Sequence, residues 1–294
     1  MSSLALSGII SAIATPFDSN QKLKESVTNE LMDMQMAGGV HGFYICGGMG
    51  EGLALPKSIR MQMAEVAVSK AKGKCKIINH IGAANIEETL ELTRHSEEIG
   101  VDAVASLAPS HFYAYCEDEI FKYYKIIADN TSLPVLVYAT SLFCGVDVVR
   151  LSKKLMKIPN VIGMKFTMND YHVFRQLKEI EGSLIFDGQD NTLICGLVMG
   201  ADGGIGASYN IMAAWFCQLY DSYRKGDINE AQNLQYKINR VIKVLIDFGG
   251  MKAIKPVLEM MGFDVGSYVF PGKSLSQEHL KILKKKVIAC GLQI

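Results

Sequence analysis

The chain carries no excess charge of either sign: 30 lysines and arginines balance 30 aspartates and glutamates over 294 residues. That balance leaves no electrostatic footprint for nucleic acid or an anionic membrane surface, and it points to a small molecule or further copies of the chain as partners. The seven cysteines (Cys46, Cys75, Cys116, Cys144, Cys195, Cys217 and Cys290) are scattered, odd in number and without a C-x-x-C pair. Free thiols in a reducing compartment are therefore expected, rather than a disulfide framework or zinc knuckle. His41, His80, His95, His172 and His279 show no ligand spacing, so no metal is expected and these rings read as structural or solvent-facing. The N-terminus MSSLALSGIISAIATPF is apolar but lacks a basic leader and runs into a strand candidate, so neither a signal peptide nor a membrane span is expected. The expected location is cytoplasmic. No low-complexity linker interrupts the chain.

What is present is a core. Hydrophobic residues make up 49% of the chain, enough for one large α/β barrel or two ordinary domains. Short β-rich runs fall at residues 8–17, 42–47, 75–82, 102–108, 134–139, 161–166, 183–188 and 203–208, with helical-period stretches between them such as KSIRMQMAEVAVSKAKG and EDEIFKYYKIIADN. Gly38-Gly39, Gly73, Gly100, Asn130 and Pro134 punctuate the connections. Parallel strands need crossover helices, so eight alternations predict a (β/α)8 TIM barrel. A doubly wound open sheet is the second choice, and the absence of G-x-G-x-x-G after the first strand counts against its dinucleotide-binding form. The barrel is expected to occupy residues 1–225 and carry the active site, with additional C-terminal helices over 226–294 packed on it. Met32, Met34, Met36, Met61 and Met63 read as core filler.

One stretch does not fit a plain core. In VIGMKF, strand alternation puts Lys165 on the side of Val161 and Gly163, opposite Ile162, Met164 and Phe166. Lys165 then points into the barrel near its C-terminal mouth, where burial favours the uncharged amine and a neutral amine attacks carbonyl carbon to form a Schiff base. The plain alternative is a lysine that snorkels to the rim or pairs with a carboxylate. PVLVYA ends on Tyr138, a phenol able to relay protons during carbon–carbon chemistry. ICGGMGEG supplies a glycine-rich turn whose backbone N–H groups suit a carboxylate, although a tight turn alone also explains Gly47, Gly48 and Gly50. Glu51 reads as a brace for that turn.

Across nearly its whole length the sequence resembles the dihydrodipicolinate synthase / N-acetylneuraminate lyase superfamily of Schiff-base aldolases. The resemblance is carried by ATPF, GGMGEG, VYATSLFCG, GMKFTMND and DGQDNTLICGLVMGADGGIGASYNIM, the last being closest to the sialic acid lyase branch. It implies a barrel with added C-terminal helices, a homotetramer, a 2-oxo acid substrate, Lys165 as imine former, Tyr138 as proton relay and no cofactor. It further implies that Thr167, Gly188, Asp190, Asn191 and Ala207 lie where lyases contact a sugar acid. Local loop capping is the competing account of Thr167 and Asp190.

The sequence also departs from the family pattern. Gly48 and Met49 stand where the family has a hydroxyl pair, Asn191 where the lyase branch has an acidic residue, and Ala207 where it has a serine. Phe143 replaces the arginine with which lysine-biosynthetic synthases hold a second carboxylate, which ranks dihydrodipicolinate synthase below the lyase. His111, Phe112 and Tyr113 compete for a family tyrosine that reaches a neighbouring subunit. The expected function is cleavage of N-acetylneuraminate or a similar sugar 2-oxo acid to pyruvate and an aldehyde. A 2-keto-3-deoxy sugar acid aldolase or hydratase and a non-catalytic metabolite-binding barrel are the alternatives.

Overall fold

Each apolar run becomes one strand of a closed ring in the computed structural model, which describes residues 6–109, 114–143, 145–269, 272 and 274–294. The strands are β1 (Gly8–Ala12), β2 (Gly42–Ile45), β3 (Lys76–His80), β4 (Ala103–Leu107), β5 (Val135–Ala139), β6 (Val161–Phe166), β7 (Leu184–Asp187) and β8 (Gly203–Gly206). All pairings are parallel in chain order, and β8 closes on β1, so the expected (β/α)8 barrel is found and the open sheet is excluded. The sequence pattern overruns most at the first strand, which stops at Ala12 instead of residue 17. Beyond it the backbone leaves the barrel: Phe17 donates to the Val265 carbonyl at 3.2 Å and forms an isolated bridge with Leu23, and Pro16 has no N–H to offer a ladder.

The crossovers are α1 (Glu25–Ala37), α2 (Lys57–Ala71), α3 (Ile86–Ile99), α4 (Glu117–Asp129), α5 (Val148–Leu155), α6 (Tyr171–Lys178), α7 (Leu193–Val198) and α8 (Tyr209–Arg224). Local chemistry sets several of their starts. Asn85, Asp147 and Asp170 each accept from the backbone N–H three residues on, satisfying a donor the helix leaves open. Gly100, at φ 79°, ends α3 in a left-handed conformation that costs glycine little. Met32 and Met63 are fully buried, and Met34, Met36 and Met61 pack half-buried against the same core.

Asn210, from the SYN of GASYN, fastens the barrel seam. Its amide donates to the carbonyls of Ala12 (2.8 Å) and Ala207 (2.7 Å), and its carbonyl accepts from the Ala14 N–H (3.0 Å). In β6, Gly163 has φ 152°, and a Cβ there would lie 1.9 Å from the Leu184 carbonyl oxygen, so only glycine lets β7 approach.

After a turn at 225–227 the chain continues as α9 (Ile228–Asp247), α10 (Ile254–Met260) and α11 (Gln277–Ala289). α9 lies along α8 and is tied to the loop after β7. Gln235, nearly fully buried, accepts from Ile194 N–H and donates to the Asp190 carbonyl, both at 3.1 Å, while Asn239 donates to the Asn191 carbonyl at 2.9 Å. Among the described residues, no helix is long and apolar enough to cross a membrane.

Candidate active site

At the C-terminal mouth of the strands lies a cavity of about 390 Å³. Its lining includes every site residue named from the sequence: Gly48, Met49, Tyr138, Lys165, Thr167, Gly188, Asp190, Asn191 and Ala207. Strand register explains the convergence. Tyr138 of β5 is directly paired with Lys165 of β6, and Lys165 with Phe186 of β7, so neighbouring strands present these side chains at one level.

Lys165 is only 5% exposed. Its Nζ lies 4.2 Å from the centre of the Tyr138 ring and 4.7 Å from that of Tyr44. Among the described residues it makes no ion pair with a carboxylate within 4.0 Å, and it does not snorkel to the rim. Tyr44 was not singled out from the sequence. Alternation in GFYI would have placed it inward with Gly42, but a tyrosine in an apolar strand reads as core. Burial pushes its phenol well above the usual range, so the hydroxyl keeps its proton. His80, expected to be structural or solvent-facing, is buried beside the same rings, its ring centre 6.4 Å from that of Tyr138. Burial holds its imidazole well below the ordinary histidine range, with the charges of Arg60 and Lys165 acting in the same direction.

The turn after β2 is held from two sides. Thr15, from ATPF, donates to the Gly50 carbonyl at 2.8 Å. Glu51, in a left-handed conformation at φ 54°, reaches Lys255 of α10 at 2.7 Å and accepts from the Val269 N–H at 2.7 Å. Glu51 thus braces the turn as expected, but its partner 204 positions away left no local sign in the sequence.

Thr167 follows β6, and its buried hydroxyl has no hydrogen-bond partner among the described residues. Gly188 is what lets Thr167 sit there, since a Cβ on residue 188 would fall 2.0 Å from Thr167 Oγ1. For Asp190 the structure shows local capping at a residue that also lines the cavity. Its Oδ2 accepts from the Ser208 N–H (2.7 Å) and hydroxyl (2.6 Å), tying the β7 loop to the start of α8. Burial raises its pKa and the two Ser208 bonds oppose that rise. Phe143 is buried in the core and is not part of the cavity lining, while His111, Phe112 and Tyr113 lie outside the described residues.

The cavity is not built by the barrel alone. Ile242, Leu245 and Ile246 of α9, Gly250 and Met251 of the turn after it, and Ile254 of α10 also line it. Among the described residues no three His, Cys, Asp or Glu side chains are placed to hold a metal ion.

Beside the cavity, Asp187 ends β7 almost completely buried, accepting from the Gln189 N–H at 2.7 Å and the Tyr171 hydroxyl at 3.3 Å. Burial pushes its carboxyl up to about 7. The folded state therefore holds this proton more tightly than the unfolded chain, and the associated stability is lost as pH rises from the ordinary carboxylate range to about 7. Urea unfolding between pH 4.5 and 8 should show Asp187→Asn gaining on the unaltered protein by a few kcal/mol as pH rises. Parallel curves would show that Asp187 is ionised throughout.

The sequence profile of the dihydrodipicolinate synthetase family matches residues 5–289. An N-acetylneuraminate lyase of Rhizobium meliloti (strain 1021) is 31% identical over 289 residues, covering 97% of this chain and 95% of that protein. The structure of Proteus mirabilis N-acetylneuraminate lyase superposes with a TM-score of 0.91 at 30% identity, covering 98% of this chain and 99% of the other. YagE, an E. coli K12 prophage protein of the dihydrodipicolinic acid synthase family solved in complex with pyruvate, superposes with a TM-score of 0.91 at 25% identity, with coverage of 98% and 99%.

Proposed function

Because this chain belongs to the dihydrodipicolinate synthetase family, we propose that it is a Schiff-base aldolase, a carbon–carbon lyase that cleaves N-acetylneuraminate or a similar sugar 2-oxo acid to pyruvate and an aldehyde. The observation that carries the reading is the buried Lys165 amine, set against the Tyr138 ring at the floor of a cavity that opens on the strand C-termini.

The Lys165 nitrogen attacks the C2 carbonyl, water leaves, and a protonated imine forms. The C3–C4 bond then breaks, its electron pair passing into the iminium to give an enamine. Tyr138 relays the proton, accepting it from the C4 hydroxyl as that carbon becomes an aldehyde while handing its own on, and the proton so released ends on C3 of the enamine. Hydrolysis of the imine releases pyruvate and restores the amine. Backbone N–H groups of the turn around Gly48 and Met49 hold the carboxylate, and Thr167 offers its unpaired hydroxyl to the substrate. From the family resemblance the reading extends to a homotetramer working in the cytoplasm without a metal or organic cofactor, the iminium being the electron sink.

Borohydride reduction in the presence of pyruvate tests the assignment. A mass gain confined to the peptide containing Lys165 supports it, whereas an unmodified protein that still binds pyruvate supports a non-catalytic barrel. The turn provides a second test. A Cβ on residue 48 meets nothing within 4 Å, so a serine fits there. Gly48→Ser, alone or with Met49→Thr, should tighten pyruvate binding roughly ten- to a hundredfold, the value of a hydroxyl bond to a charged carboxylate. Unchanged affinity in a titration would mean that the carboxylate does not approach this turn.

A further inference from the structure

We infer that the cavity wall built by α9 and α10 selects an aldehyde fragment that is deoxygenated where it lies against that wall: an alkyl or deoxy aldehyde rather than a fully hydroxylated one. This rests on the Schiff-base reading and narrows its substrate class to the similar 2-oxo acids, away from N-acetylneuraminate, whose aldehyde fragment is polyhydroxylated.

The polar side chains of the lining fall on the strand side, although Ala12, Met49, Ile205 and Ala207 make that side partly apolar too. The polar side chains (Tyr138, Lys165, Thr167, Gln189, Asp190, Asn191 and Ser208) come from the strand ends and the loops directly after them. The segment 242–254 contributes Ile242, Leu245, Ile246, Met251 and Ile254, with Gly250 adding only backbone. Among the described lining residues, that wall has no side-chain hydrogen-bonding group. The strand side is also poorer than it looks, because the Oδ2 of Asp190 already accepts two bonds from Ser208, and Met49 and Ala207 carry no hydroxyl.

A second observation points the same way. Ile246 and Met251 are 58% and 54% exposed, large aliphatic side chains left in water at the edge of the cavity. An alkyl group lying across them removes apolar surface from water on both partners. A hydroxyl turned against this wall gives up its water and meets no side-chain partner there. The carbon that becomes the aldehyde still needs its oxygen, which Tyr138 and Thr167 serve. The discrimination therefore falls on the carbons beyond it.

The test is run in the condensation direction, where the enamine of pyruvate adds to an aldehyde carbon, the aldehyde oxygen takes a proton, and water releases the product from Lys165. Aldehydes of equal carbon number are compared per free carbonyl: butanal against erythrose, and hexanal against an open-chain hexose. The alkyl member of each pair should have a kcat/KM at least about tenfold higher, the effect of one unmet hydroxyl. Ile242→Asn should lower that ratio about tenfold while leaving borohydride trapping with pyruvate intact. Met251→Gln, at a position 54% exposed, should lower it in the same direction. Trapping with pyruvate together with preference for the hydroxylated members, or with no condensation of alkyl aldehydes, overturns the inference and leaves the Schiff-base reading standing. Absence of trapping overturns both.

Discussion

Lys165→Ala should lower carbon–carbon cleavage by roughly four orders of magnitude or more, equivalent to at least about 5.5 kcal/mol of barrier. It should also abolish the borohydride-trapped adduct. The size follows from the role assigned to the amine. Without it no iminium forms, and the C3–C4 electron pair has nowhere to go except a carbonyl oxygen that no metal or strong acid polarises in this reading. Truncating a side chain that is 5% exposed also leaves a void between the Tyr44 and Tyr138 rings, so a loss of activity could be confused with a loss of fold. Lys165→Met removes the nitrogen while keeping most of the volume, and circular dichroism with urea unfolding checks that both variants remain folded. Turnover by either folded variant at a rate near that of the unaltered protein would remove the basis of the assignment.

The reach of the sequence was greatest where one side chain's position depends only on its own strand. Alternation in VIGMKF places Lys165 inward, and the packing of Phe166 on Phe174 of α6, with ring centres 5.6 Å apart, shows the opposite face meeting the helix layer. Alternation in VLVYA does the same for Tyr138. It failed to single out Tyr44, because nothing in a strand pattern separates a ring that packs the core from one that covers an amine. The α9 wall was also hidden. Ile242, Leu245 and Ile246 recur at helical spacing, which announces an apolar stripe but not what the stripe faces, and here part of it faces the cavity. The cavity accordingly draws lining residues from 242–254 as well as from the 1–225 span expected to carry the site. For Asp190, substrate contact and loop capping were offered as alternatives. The bonds to Ser208 show a carboxylate engaged in capping while it lines the cavity.

Breaking the Glu51–Lys255 pair should cost more stability than any other single polar substitution named above. Lys255 is 1% exposed, with Nζ 2.7 Å from Glu51 Oε1, 3.1 Å from the Ser267 carbonyl oxygen and 3.8 Å from the Phe17 ring centre. Burial pulls its pKa down, and the Glu51 carboxylate acts against that pull. Lys255→Met leaves the carboxylate without its counter-charge and should destabilise the protein by about 3–5 kcal/mol. Glu51→Gln should also destabilise, because it leaves an ammonium in an apolar site. The double variant, with neither charge, should recover part of the loss, so the two effects fall short of additivity by about 1 kcal/mol or more. A folding defect alone would end there, but Glu51 lies two residues after Met49 in the turn assigned to the carboxylate. The stable double variant should therefore bind pyruvate more weakly, while its Lys165 adduct still forms at saturating pyruvate. Additive losses within about 0.5 kcal/mol in a urea double-mutant cycle would mean that the pair does not act as a unit. Unchanged pyruvate affinity would mean that the turn keeps its shape without the link to α10.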